Sequence, residues 1–160
     1  TGTIEGPSSD APLPGDLDGD GDVDADDADI LCANMGEDPV TFDMDNDGDV
    51  DEDDLTFLVE NYLEYDSDGD GVADGAGTFR GDFNTDGTVN GTDLSILSGG
   101  FGTTTGFLGG NANCDTTVNG TDLSILSSVF GNVATAAVPE PATMSLIALG
   151  ALALLRRKRN

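Results

Sequence analysis

The sequence predicts a small, mainly α-helical protein built from paired loop–helix repeats, with a hydrophobic helix at its C-terminus. Three observations predict this class. An Asp-rich segment recurs four times in the 160 residues. Each copy is followed by apolar residues at helical spacing. The chain ends in an apolar run, residues 142–155, followed by a basic cluster.

The four repeats start 27, 39 and 29 residues apart, with DLDGDGDVDADD, DMDNDGDVDEDD, DFNTDGTVNGTD and NANCDTTVNGTD. The last two share TVNGTDLSILS outright, which divides the chain into two repeat pairs, residues 15–65 and 82–131. The other predicted segments are a flexible linker (1–14), an Asp-rich connector (66–81), a second linker (132–138) and a C-terminal segment (139–160).

The charge of the chain excludes some functions. Residues 1–155 hold 32 acidic residues and one basic residue, Arg80. A nucleic-acid partner is excluded, because gripping phosphates requires a basic face. The acids are not scattered as in a disordered acidic tail, because they recur at alternate positions around Gly.

The apolar residues after each loop predict short amphipathic helices whose stripe faces a core. In the third repeat Leu94, Leu97 and Phe101 fall at i, i+3 and i+7, and Leu55 and Leu58 begin the same pattern in the second. We expect these residues to be buried rather than to form a ligand site.

The loops have the chemistry of a calcium site. Calcium takes six to eight oxygen ligands, and D-x-[DN]-x-[DN]-G turns a loop so that alternate residues point inward. Positions 1, 3, 5, 9 and 12 offer side chains, position 7 mainly its carbonyl, and position 8, as at Val23, turns to the core. The predicted ligands of the first three loops are Asp16, Asp18, Asp20, Asp22, Asp24 and Asp27; Asp43, Asp45, Asp47, Asp49, Asp51 and Asp54; and Asp82, Asn84, Asp86, Thr88, Asn90 and Asp93.

Two further segments leave occupancy open. The fourth loop offers Asn111, Asn113, Asp115, Thr117, Asn119 and Asp122. It has an amide at position 1, and Thr116 replaces the position 6 Gly, which predicts strain because β-branched residues avoid positive φ. The connector offers Asp66, Asp68, Asp70 and Asp74. Its position 12 is Gly77, so it is either an acidic linker or a calcium site that borrows a ligand.

Over residues 15–131 these Asp-rich loops, each followed by a short helix, resemble type I dockerin repeats. The resemblance implies Ca²⁺ binding, paired EF-hand-like units and a cohesin-like protein partner. That partner would contact positions 10 and 11, which are Gly91, Thr92, Gly120 and Thr121 in the second pair.

The C-terminus, VPEPATMSLIALGALALLRRKRN, resembles the PEP-CTERM sorting signal. Its parts are Pro139-Glu140-Pro141, the apolar residues 142–155 and a basic cluster. The resemblance implies export, recognition by an exosortase and removal of the tail, so that residues 142–155 anchor the chain in the membrane only transiently. The expected location is the bacterial cell surface or the extracellular space.

Catalysis is not expected, because the chain has no His and calcium already explains each acidic cluster. Cys32 and Cys114 could form one disulfide that joins the two repeat pairs, or could stay free. The predicted function is a non-catalytic, calcium-stabilised surface module for protein attachment or assembly. Two alternatives remain: a self-associating structural subunit of a surface fibre or biofilm matrix, and the C-terminal tail of an exported hydrolase.

Overall fold

The computed structural model describes residues 13–37 and 39–135. Its elements are α1 (Ala25–Ala33), α2 (Pro39–Phe42), α3 (Glu52–Asn61), β1 (Glu64–Tyr65), β2 (Gly75–Ala76), α4 (Gly91–Gly100), a 3-10 helix (Phe107–Gly109) and α5 (Gly120–Val129). A small, mainly α-helical protein is therefore confirmed for these residues. The predicted C-terminal hydrophobic helix lies outside them. Within them, no helix combines the length and the hydropathy needed to cross a membrane.

Each of the four longer helices begins at the end of a repeat loop, because position 9 of the loop caps it. Asp24, Asp51, Asn90 and Asn119 adopt extended backbone and accept the N–H two residues later. The position 12 Asp reaches back to the N–H of the same cap, which completes a capping box in every repeat. The loop and its helix are therefore one folding unit.

The helices pack in pairs around one apolar core. α1 packs on α3, α4 packs on α5, and the 3-10 helix contacts both α1 and α4. Position 8 of each loop is buried, as predicted for Val23; these residues are Val23, Val50, Val89 and Val118. They join Leu31, Leu58, Leu97 and Leu126 in a single cluster. Both repeat pairs therefore contribute to the same core.

The apolar stripe is only partly buried. Leu55, Leu58 and Leu97 are buried, but Leu94 is 38% exposed and Phe101 is 54% exposed. The prediction that these last two residues are core is wrong. α4 ends at Gly100, and Phe101 takes φ −58° and ψ 125°, so it lies off the helical face that the i+7 spacing assumes.

A hairpin that the sequence did not indicate joins the end of the first repeat pair to the connector. β1 pairs with β2 in antiparallel register, with Glu64 opposite Ala76 and Tyr65 opposite Gly75. Two-residue strands carry no readable periodicity, which is why the pattern gave no signal. The pairing holds the Asp-rich segment between the strands as a closed loop.

The two cysteines form a disulfide between α1 and the fourth loop. The Cα atoms of Cys32 and Cys114 lie 4.9 Å apart, across a sequence separation of 82 residues. This bond joins the first repeat pair to the second, which is the bonded alternative left open by the sequence.

Candidate calcium sites

The first two loops each gather three carboxylates at one point. Oxygens of Asp16, Asp18 and Asp27 lie within 4.8 Å of one another, and Asp43, Asp45 and Asp54 repeat the arrangement. These are positions 1, 3 and 12 of each loop. Like charges this close repel one another, and a cation between them reverses the sign of the interaction. The donor set consists of oxygen alone, which fits calcium.

The other predicted ligands of these loops surround the clusters. Asp20, Asp22 and Asp24 are exposed, as are Asp47, Asp49 and Asp51. The side chain of Asp20 accepts the backbone N–H of Asp22, and that of Asp47 accepts the N–H of Asp49. A hydrogen bond to the Asp20 carboxyl, together with nearby negative charge, raises the pKa of Asp22 to about 6. Below about pH 6 a proton held by Asp22 would therefore relieve part of the charge repulsion within the loop.

Position 12 fastens the start of each loop to the start of its helix. Asp27 is buried; its Oδ1 accepts the N–H of Leu17 at 2.6 Å, and its Oδ2 accepts the N–H of Asp24 at 2.8 Å. In the second loop Asp54 accepts from Met44 and Asp51 in the same way. The D-x-x-D spacing signals this capping role, which the ligand pattern alone did not reveal.

The connector brings Asp66, Asp68 and Asp70 together within the same 4.8 Å. Asp66 accepts the N–H groups of Gly69 and Gly71, and these bonds help hold its pKa below the ordinary value. The fourth predicted ligand, Asp74, lies outside this cluster and accepts hydrogen bonds from Ser67 instead.

A cavity of about 260 Å³ lies beside the connector. It is lined by Asp66 together with Asp24 of the first loop and Glu64 of β1. Asp24 and Glu64 come from outside the connector but do not belong to its three-carboxylate cluster, so the borrowed ligand stays a prediction.

The third loop has fewer charges and a more buried site. Asp82 is fully buried, and burial raises its pKa although the Thr78 hydroxyl and the Gly87 N–H donate to its carboxylate. Asn84 donates from Nδ2 to Asp86 at 2.8 Å, and its Oδ1 is buried with no hydrogen-bond partner. An orphaned buried oxygen favours an ion or a water at that point.

The remaining predicted ligands of the third loop are already engaged. Asp93 accepts from the N–H groups of Phe83 and Asn90, as position 12 does in the other loops. The carbonyl of Thr88, at position 7, accepts the side-chain amide of Asn90 at 3.1 Å. This amide would have to give way before the carbonyl could bind an ion.

The fourth loop does not fit a calcium ion in the same way. The amides of Asn113 and Asn119 both donate to Oδ2 of Asp115, at 3.2 and 3.1 Å. Asn119 also donates to the carbonyl of Thr117 at 2.7 Å. Asp122 accepts the N–H groups of Ala112 and Asn119. The Thr117 N–H, with the side chains of Asn113 and Asn119, holds the pKa of Asp115 below its usual value.

The predicted strain at Thr116 is wrong. Thr116 does not have a positive φ; the left-handed residue of this loop is Cys114, with φ 58°. Position 4 is left-handed in the other loops too, at Gly19, Asn46 and Thr85. The requirement for an unusual φ at position 4 was missed, although Gly19 and Asn46, residue types that tolerate this region, were signals of it.

Two further residues support the sites and were not predicted. Arg80 donates from Nε to the carbonyl of Ala112 at 2.7 Å and from Nη2 to Glu52 at 2.9 Å. Asp29 on α1 accepts the N–H of Phe107 at 2.7 Å, and partial burial raises its pKa. Both contacts span long sequence separations, which local patterns do not report.

The residues expected at a protein interface lie at the starts of α4 and α5. Gly91 and Thr92 are exposed, and so are Gly120 and Thr121. Exposed apolar residues recur at matching places in the third and fourth repeats. They are Leu94 and Phe101 in the third repeat, and Leu123 and Phe130 in the fourth. The second repeat pair therefore presents two similar mixed surfaces.

Comparison with known families gives two matches. Residues 41–101 match the dockerin type I domain, and residues 137–159 match the PEP-CTERM protein-sorting motif. The dockerin match spans α3, the connector and α4, which is narrower than the expected 15–131 and crosses the two packed helix pairs. The boundaries of the repeat pairs thus stay a prediction.

No curated protein and no solved structure matches the chain at a significant level. The PEP-CTERM match covers the predicted sorting segment, which lies beyond the described residues. The two resemblances seen in the sequence are thus confirmed over the matched residues, with a match to the dockerin type I domain at 41–101 and a match to the PEP-CTERM sorting motif at the C-terminus.

Proposed function

We propose that this chain is a non-catalytic, calcium-stabilised module that attaches to a protein partner outside the cell. The observation that carries the proposal is the gathering of three carboxylates in each of the first two loops, at Asp16, Asp18, Asp27 and their counterparts. Dockerin type I domains bind calcium, and the second loop lies within the segment that matches this family.

Calcium binding would supply folding free energy to this chain. The core is small, and acidic loops flank it at Val23, Val50 and Val89. Without a cation the loop carboxylates repel one another, so the native state is disfavoured. Binding of an ion to the native state alone adds stability that rises with calcium concentration.

The starts of α4 and α5 support attachment through the second repeat pair. Thr92 and Thr121 lie exposed beside Leu94 and Leu123. Apolar side chains next to small polar ones form a surface that a partner can cover without leaving charge buried. A cohesin-like domain is the proposed occupant.

The sorting motif supports export. Residues 137–159 match a protein-sorting motif, which indicates handling by an exosortase and delivery to the cell surface or the extracellular space. We propose that residues 142–155 anchor the chain in the membrane until the tail is removed. Extracellular calcium would then reach the loops after export.

A calcium titration of the full chain tests the proposal. Circular dichroism and thermal unfolding are measured in calcium and after chelation, with Asp27→Asn/Asp54→Asn as the ligand variant and Asp26→Asn/Asp53→Asn as its charge-matched control. We expect calcium to raise the melting temperature of the wild type and the control more than that of the ligand variant. Equal melting with and without calcium would exclude a calcium-stabilised module.

Partner binding is tested separately. A cohesin-type domain immobilised on a sensor should capture the chain in calcium and release it on chelation. Thr92→Arg/Thr121→Arg should weaken capture without changing the melting temperature. If instead calcium makes the isolated chain scatter light as polymers grow, the structural-subunit alternative is favoured. Hydrolase activity that requires residues upstream of Thr1 would favour the tail of an exported enzyme.

A further inference from the structure

The fourth loop differs from the others in the orientation of one peptide. In the second loop the Gly48 N–H donates to the position 1 carboxylate of Asp43 at 3.1 Å. The third loop and the connector repeat this bond, from Gly87 to Asp82 and from Gly71 to Asp66, both at 2.8 Å. The peptide between positions 5 and 6 therefore points its N–H toward position 1 in these loops.

In the fourth loop the same peptide points its carbonyl toward position 1. Nδ2 of Asn111 donates to the carbonyl oxygen of Asp115 at 2.8 Å and to that of Thr105 at 3.2 Å. The N–H and C=O of one trans peptide point in opposite directions, so the 115–116 peptide is turned over. An amide at position 1 brings a donor that needs an acceptor, and the reversed peptide supplies it.

The reversal also explains the residue at position 6. Turning a peptide over changes ψ of the residue before it and φ of the residue after it. Gly48 has φ 108° and Gly87 has φ 77°, whereas Thr116 is not left-handed. A β-branched residue is strained at φ values of 77–108°, which lie beyond the φ of 50° that Thr85 adopts at position 4, so the reversed form suits Thr116. Asn111 and Thr116 are therefore a compensating pair, and each would be unfavourable without the other.

The position 5 carboxylate of the reversed loop is occupied by amides. Oδ2 of Asp115 accepts from Asn113 and Asn119, and Oδ1 accepts the N–H of Thr117. Its counterpart Asp47 in the second loop accepts the N–H of Asp49, and Asp86 in the third loop accepts one side-chain amide, from Asn84. Two side-chain donors thus face Asp115 at a position where a calcium site requires oxygens.

A disulfide and a hydrogen bond from other parts of the chain hold the fourth loop in place. Cys114 is bonded to Cys32 on α1, and the carbonyl of Ala112 accepts from Arg80. Within this loop the one buried side-chain acceptor without a partner is Oδ1 of Asn111. The third loop has a like orphaned oxygen at Asn84, so this atom alone does not separate the two loops, and a water can donate to it.

We propose that the fourth loop keeps the loop–helix shape without calcium, through the Asn111–Thr116 pair, the amides on Asp115 and the Cys32–Cys114 disulfide. The chain then binds fewer ions than it has loops. The loop serves as a permanently closed unit onto which calcium-dependent loops fold.

Counting bound ions by native mass spectrometry tests this on the oxidised full chain. Asp115→Asn should leave the number of bound calcium ions unchanged, whereas the matched position 5 variant Asp47→Asn in the second loop should lose an ion or bind it more weakly. Loss of one ion in Asp115→Asn, with helicity retained by circular dichroism, would overturn the proposal.

A gain variant provides a second, independent test. Asn111→Asp/Thr116→Gly restores both residues of the ordinary loop, and we expect one additional bound ion per chain. If this variant binds the same number of calcium ions as the wild type, the proposal that Asn111 and Thr116 keep the fourth loop free of calcium is wrong. A wild type that binds no calcium at all would refute the proposed function instead, so the two failures are distinguishable.

Discussion

Arg80 donates from Nε to the carbonyl oxygen of Ala112 across 2.7 Å. The same guanidinium donates to the Thr56 hydroxyl at 3.0 Å and to Glu52 at 2.9 Å, both on α3. Arg80, the one basic residue among residues 1–155, thus links a helix of the first repeat pair to a loop of the second. Its side chain is 12% exposed, so these bonds are shielded from water.

Replacing Arg80 should destabilise the protein. Arg80→Gln removes the bonds to Ala112 and α3, and hydrogen bonds to charged groups contribute about 2 kcal/mol to stability. We expect a decrease of about this size in the free energy of unfolding, measured by urea denaturation in saturating calcium. Glu52→Gln is the control and should change stability little, because Glu52 is 54% exposed. A larger loss for Glu52→Gln than for Arg80→Gln would show that the ion pair, not the link to Ala112, matters.

Removing the disulfide should destabilise the chain more strongly. Cys32→Ala/Cys114→Ala frees a loop closed over a sequence separation of 82, for which chain entropy gives about 4.5 kcal/mol. The melting temperature in calcium should fall, and a reducing agent should lower that of the wild type but not that of the variant. Identical melting of oxidised and reduced wild type would contradict the prediction.

The buried carboxylate at position 12 should control calcium affinity of its own loop. Asp27→Asn removes one charge of the Asp16–Asp18–Asp27 cluster, whereas Asp26→Asn removes a neighbouring exposed charge. Affinity rises with the number of carboxylate ligands, so we expect Asp27→Asn to weaken binding at least about tenfold by titration calorimetry. Comparable weakening in Asp26→Asn would mean that overall charge, rather than coordination, sets the affinity.

The stability of the calcium-free protein should depend on pH in an unusual direction. The pKa of Asp22 is raised to about 6 by its bond to Asp20 and by neighbouring charges. Its contribution to stability is therefore present below the ordinary carboxyl pKa and is lost as pH rises through about 6. The lowered pKa values of Asp66 and Asp115 change stability only below about pH 4. They therefore do not oppose the effect of Asp22 between pH 5 and 7.

We therefore expect calorimetry of calcium-stripped protein to give a higher melting temperature at pH 5 than at pH 7. Asp22→Asn should reduce the difference. With calcium present the order should reverse, because protons compete with the ion for the same oxygens. A calcium-free protein that melts higher at pH 7 would show that proton sharing in the loop is unimportant.

Two glycines, one with a positive φ and one inside a helix, should respond to replacement by Ala in opposite directions. Gly48 has φ 108°, so Gly48→Ala should destabilise the second loop by about 1 kcal/mol and weaken its calcium binding. Gly99 lies inside α4, where an added Cβ meets nothing within 4 Å. Gly99→Ala should increase the free energy of unfolding by up to about 1 kcal/mol. Equal effects of the two substitutions in urea denaturation would argue against a left-handed requirement at Gly48.

The calcium loops were readable because their chemistry is local. Position 1, 3 and 12 carboxylates such as Asp16, Asp18 and Asp27 meet within one short turn, so spacing alone predicts that they converge. The fourth loop was misjudged for the same reason. The prediction of strain at Thr116 assumed that the fourth loop has the same backbone as the others. The 115–116 peptide is instead reversed, because its carbonyl accepts a hydrogen bond from the Asn111 side chain.

The sequence by itself determined the repeat loops, the helices that follow them, the acidic character and the sorting motif, because each is encoded within a few consecutive residues. Tertiary structure alone decided that Cys32 meets Cys114, that Arg80 reaches Ala112, and that Leu97 is buried while Phe101 is exposed. These contacts join residues far apart in the chain or depend on where a helix ends. The partners meet only because the two repeat pairs pack around one core, which no local pattern specifies.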